Sequence, residues 1–165
     1  MSSTFFLLDF IYLGLLTESL TSFRTIEVKP FDNLVGNHIP TQMEQYLNQR
    51  MMSEFQSLKS SPKIEPYDEF LPQEGVPGTP AESALIFEGF IDDYDAGYAG
   101  LRMVELGFNH VAVTVRFQLR NKQTGEILAA ASITAQDDRA TATTKGAIDR
   151  ITKRIHKLVN SGFGG

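Results

Sequence analysis

Residues 110–135 read HVAVTVRFQLRNKQTGEILAAASITA, and this stretch decides the fold class. Val111, Val113, Val115, Phe117 and Leu119 share one side of an extended chain, with His110, Thr114, Arg116, Gln118 and Arg120 on the other. Such alternation is the signature of a strand with one buried and one wet face. Asn121-Lys122-Gln123-Thr124-Gly125 makes a turn, with Gly125 placed to take a positive φ. The return strand runs from Glu126 to about Ala135, alternating through Ile127, Ala129, Ala131 and Ile133. The small residues at 129–132 predict a helix packed close against it.

Working outward, Phe23-Arg24-Thr25-Ile26-Glu27-Val28 alternates in the same way and predicts a strand closed by Pro30 and the turn residues of Asp32–Gly36. A helix follows from about Pro40-Thr41, with Met43, Tyr46, Leu47, Met51, Phe55 and Leu58 on one stripe, and Ser60-Ser61-Pro62 stops it. A short extended piece covers Ile64 to Phe70, and Leu71–Ser83, rich in Pro and Gly, reads as a surface loop. Ala84 to Tyr94 reads as a central strand, and Asp95–Phe108 as a connection studded with Gly97, Gly100 and Gly107. The last helix begins between Thr141 and Lys145, burying Ile148, Ile151, Ile155, Leu158 and Val159. The order β-α-β-β-β-β-α predicts an α+β fold: an antiparallel-rich sheet of four to five strands, with both helices on one face.

The chain has 165 residues and no cysteine, which excludes disulfides, thiol nucleophiles and iron–sulfur sites from this sequence. Its three histidines, His38, His110 and His156, are not at metal-ligand spacing, and no metal or cofactor is expected. No nucleophile elbow, phosphate-binding loop or dinucleotide fingerprint is present. The formal charge of −5 conceals an asymmetry: residues 1–95 hold 15 acids and 5 bases, residues 96–165 hold 5 acids and 10 bases. Either the halves neutralise one another in space, or the molecule carries an acidic and a basic face suited to a partner or a second copy. An acidic chain without a basic patch interleaved with aromatics does not suit nucleic acid.

Residues 5–16, FFLLDFIYLGLL, are ten large apolar groups among twelve. The run is shorter than the roughly 20 residues of a spanning helix, and Met-Ser-Ser-Thr before it supplies no positive charge for a secretory signal. Residues 1–22 therefore read as a packed element, a docking arm or a degenerate signal; residues 23–160 read as one α+β domain and 161–165 as a flexible Gly-rich tail. Phe5, Phe6, Phe10 and Tyr12 are candidate contact residues, and membrane association would run through this segment or through partners.

Residues 84–135 carry a resemblance, through the run FEGFIDDYDAGYAGLRMVELGFNHVAVTVRFQLRNKQTGEILA within them. A strand ending in acidic-x-Tyr-Asp, a Gly turn, Leu-Arg, a second Gly turn, an alternating strand and Thr-Gly-Glu-Ile-Leu-Ala together resemble the bacterial envelope lipoprotein family called domain of unknown function 4410. The opening Val28-Lys29-Pro30-Phe31-Asp32-Asn33 and the final helix extend the likeness over about residues 23–160. The family's basic signal and lipid-carrying Cys have no counterpart here, and its Pro-Gly-Ser is Ala96-Gly97-Tyr98. The resemblance implies a periplasmic, cell-envelope location and a small α/β domain like those of secretion and flagellar-ring lipoproteins.

Two groups of residues are candidate sites. Asp92, Asp93 and Asp95 at a strand end, followed by Arg102, could bind a cation or small ligand; they could equally cap a turn, with Arg102 clamping Asp93 or Asp95. Lys145, Arg150, Lys153, Arg154 and Lys157 make the last helix strongly basic, either as a solvated face or as a contact for an acidic partner. The expected function is a non-enzymatic protein-interaction module in an envelope assembly, with protein partners or self-association. The alternative is a periplasmic small-ligand or cation-binding domain using residues 92–102.

Overall fold

The structure, a computed structural model, describes residues 10–12, 20–69, 84–95, 111–137 and 143–164, with side chains from residue 20 onward. In chain order the elements are β1 (Phe10–Tyr12), β2 (Thr25–Val28), β3 (Asp32–Asn33), α1 (Met43–Gln56), β4 (Lys63–Pro66), β5 (Ala84–Asp95), β6 (Val111–Asn121), β7 (Ile127–Asp137) and α2 (Thr144–Gly162). Six strands lie in the order β1-β7-β6-β5-β2-β4, and β3 pairs with β5 as a seventh.

The α+β class and the two packed helices are as the sequence predicts. The sheet is wider than four to five strands because the short β1 and β3 join it. It is also more mixed: β5, β6, β7 and β1 run antiparallel, whereas β2 pairs parallel with both β4 and β5. The parallel half follows from the β2–α1–β4 order, since a parallel return needs a crossover and α1 supplies it. Helix α1 is shorter than predicted, ending at Gln56 with Ser57 as its cap.

The hairpin forms where the sequence places it. Val113, Val115, Phe117 and Leu119 of β6 register with Ala135, Ile133, Ala131 and Ala129 of β7, all on the helix-covered face. Gly125 takes φ 74° in the turn, a left-handed conformation that glycine adopts without strain. The predicted alternation fails at Ile127, which is 53% exposed, because the register shifts between Leu119 and Arg120. Phe87 of β5 centres the core, with its ring centroid 4.9 Å from Phe55 of α1, 5.6 Å from Phe31 and 5.6 Å from Phe117. Helix α2 lies over β6 and β7 and packs on α1. Its Thr143 cap accepts a bond from Gly146 N at 3.0 Å, and Ile148, Ile151, Ile155 and Val159 are buried.

Candidate functional site

The face of the sheet away from the helices is where the acidic and basic halves of the chain meet. Because β5 pairs with β6 and β2 pairs with β5, acids on β2 and β5 fall beside cations on β6. Glu88 accepts from Lys29 Nζ at 2.8 Å, Arg120 Nη2 at 2.7 Å and Gln118 Nε2 at 2.5 Å. Burial alone would raise its carboxyl, but these three donors outweigh it and hold the pKa down at about 2, from an ordinary 4.5. Buried Glu27 pairs with Lys122 at 2.6 Å. Arg116 grips Asp92 through Nε and Nη2, at 3.0 and 3.3 Å, with its guanidinium over the Phe90 ring. Thr114 and Thr134 bond across the strands at 2.8 Å.

This arrangement bears directly on the acidic loop. Asp92 is held by Arg116, and Asp93 accepts from the Tyr94 backbone N–H at 2.9 Å, a local bond within β5 beside its register shift. Arg102, the partner expected for Asp93 or Asp95, lies outside the described residues, as does His110. Among the described residues no group of three or more acids and histidines could hold a metal ion. His38 is exposed in a loop, and His156 meets Ser57 Oγ at 3.2 Å where the two helices pass at the surface.

The cations of α2 divide into two sets. Arg150, Lys153, Arg154 and Lys157 recur at three- and four-residue spacing, which aligns them on one outer ridge. Arg150 donates to the Gln136 carbonyl, Arg154 makes interactions of its own, and Lys153 and Lys157 are exposed. The helix's acid, Asp149, is turned away from this ridge. It accepts from Tyr46 Oη at 2.7 Å and pairs with Arg50 Nε at 3.0 Å, tying α2 to α1. That hydrogen bond, with some burial, pushes the Tyr46 phenol above its ordinary value.

Lys145 stands apart from the ridge, with its ammonium 5.3 Å from the Tyr46 ring centroid. It borders an open cleft of about 410 Å³ between α1 and the start of α2. Gln42, Gln45 and Gln49 line the α1 side, and Met43, Tyr46 and Ile148 contribute to the lining beside them. By sequence Lys145 groups with the other cations of the last helix, and Gln45 and Gln49 fall on the polar side of α1; only the fold brings them to one cleft. Of the N-terminal candidates, Phe5 and Phe6 lie outside the described residues. Phe10 and Tyr12 are backbone partners of Ile133 and Ala131 through β1. No helix among the described residues is long and apolar enough to cross a membrane.

A family model described as LptE, lipopolysaccharide-assembly, matches residues 23–158. This match, over residues 23–158, overturns the resemblance to domain of unknown function 4410. No curated protein matches the sequence. Among solved structures, the PelC dodecamer from Paraburkholderia phytofirmans has a TM-score of 0.62 at 9% identity, over 90% of this chain and 95% of that one. CT253 from Chlamydia trachomatis scores 0.56 at 10% identity, over 84% and 97%. Lipoprotein GNA1162 from Neisseria meningitidis scores 0.50 at 11% identity, over 83% and 98%. At these identities the likeness is one of fold.

Proposed function

The chain belongs to the LptE lipopolysaccharide-assembly family, and from that membership we propose that it is a non-enzymatic subunit of a lipopolysaccharide-assembly complex in the bacterial cell envelope. The observation that carries this reading is the extent of the family match, residues 23–158, which runs from the lead-in of β2 to the last turns of α2. The surface chemistry supports a contact role. Charges on the open sheet face are spent on one another, while the α2 ridge and the cleft beside Lys145 present polar groups outward. Ser57 and His156 meet in the open at a helix crossing, which supports a packing role for that pair and not a nucleophile and base.

The test is depletion of the protein in its own cell, followed by surface lipopolysaccharide measured on intact cells. The expected result is loss of lipopolysaccharide from the surface and its accumulation at the inner membrane. Unchanged surface lipopolysaccharide in fully depleted cells overturns the proposal. Native mass of the gently extracted protein adds a second reading: a defined complex well above 18.4 kDa is expected.

A further inference from the structure

We propose that the cleft between α1 and the start of α2 is a docking groove for an extended, acidic peptide segment of a partner protein, with the glutamine row of α1 reading its backbone and Lys145 its carboxylate. Gln42, Gln45 and Gln49 line the groove from one side. From Gln42 to Gln49 a helix rises about 10 Å, the length of about three residues of extended chain. Each primary amide offers both a donor and an acceptor, the complement of a peptide group. A row of them at this spacing can bond successive backbone groups without regard to the side chains between.

The groove also states the charge of its occupant. Among the described residues that line it, Lys145 is the charged one. The nearest acid on its own helix, Asp149, is already engaged by Tyr46 and Arg50. The Lys145 ammonium therefore faces the groove over an aromatic ring, with Thr144 beside it at the positive end of a 19-residue helix. Met43 and Ile148 supply apolar surface for the stem of a bound side chain. Tyr46, whose ring Lys145 faces, is held in place by its bond to Asp149.

The inference rests on the assembly reading only in taking the occupant to be a protein partner. The test places a photo-crosslinking benzoylphenylalanine at Gln45 or Gln49 of the full chain in its own cell, with Gln123 in the exposed hairpin turn as the control position. The expected product is an adduct whose partner-side peptide, mapped by mass spectrometry, is extended in character and rich in Asp or Glu. Lys145→Glu should lower its yield by roughly tenfold or more, the scale of losing a charge-assisted bond and gaining a repulsion. Gln123→Glu, in the exposed hairpin turn, should leave the yield unchanged. No adduct at either position, an adduct to saccharide or to a second copy, or a yield indifferent to Lys145→Glu overturns the groove. If depletion leaves surface lipopolysaccharide intact while the acidic adduct forms, the functional reading fails and the groove stands; the reverse pattern removes the groove alone.

Discussion

Glu88 and Gly89 are neighbours in β5, yet they belong to two surfaces held together by different physics. Gly89 points into the helix-covered face, where Phe31, Phe55, Phe87 and Phe117 interlock without water. Glu88 points to the open face, where it gathers three donors from β2's end and from β6. On the first face shape decides stability, because close-packed interiors do not yield to added atoms. On the second, charge pairing decides it, because each ion is partly stripped of water and needs its partner.

The sharpest way to break this contrast is Gly89→Ala. A Cβ at Gly89 would overlap the ring of Phe31, which is buried and in edge contact with Phe87. The substitution should cost about 3 kcal/mol, read as a lowered urea midpoint with an unchanged slope. A cost under about 1 kcal/mol would mean that the ring moves freely and that the covered face is looser than its packing suggests.

Glu88→Ala comes next. It leaves Lys29 and Arg120, both with side chains about a third exposed, without their shared acceptor. Water repays part of that loss, so about 2 kcal/mol is expected, again from denaturant unfolding. The same carboxylate sets a pH dependence. Its folded pKa is depressed to about 2 from 4.5, so its contribution is present above pH 4.5 and is lost as pH falls through 2. Wild-type protein should therefore lose stability in that window faster than Glu88→Gln. Parallel curves for the two would show that the three donors do not favour the charged form.

The same division explains what was legible in advance. The hairpin and both helical stripes, with Phe117 and Phe55 among them, repeat at periods of two or of three to four, so a local stretch reveals them; Phe31, beyond Pro30 and outside any element, follows no period. Glu88 sits in an apolar strand with nothing local to name its partners; they lie 59, 30 and 32 positions away, and only strand register joins them. Asp92 shows the same limit. Its partner Arg116 lies 24 positions along the chain, across the strand pair beside the register shift between Ile91 and Asp93. Strands β1 and β3 are three and two residues long, too short for any period to appear. Among the described residues the acidic and basic halves meet where β2, β5 and β6 join, and again where Arg50 pairs with Asp149 between the helices.

The outer ridge of α2 tests whether that intermixing stops where the structure places its limit. Lys153 and Lys157 lie one turn apart and exposed, flanked by Arg150 and Arg154 on the same ridge. Like charges at this spacing repel slightly in a helix. Reversing both, Lys153→Glu with Lys157→Glu, should thus leave folding stability within about 0.5 kcal/mol of wild type, or raise it a little. A loss above about 1 kcal/mol in urea unfolding would mean that the ridge has acidic partners within the chain, and the charge asymmetry would then be neutralised throughout the molecule. Unchanged stability together with a smaller native complex would instead assign the ridge to contact with a partner. The two readouts have to be taken on the same variant, because an unfolded subunit also leaves a complex, and only a folded one leaves it for want of charge.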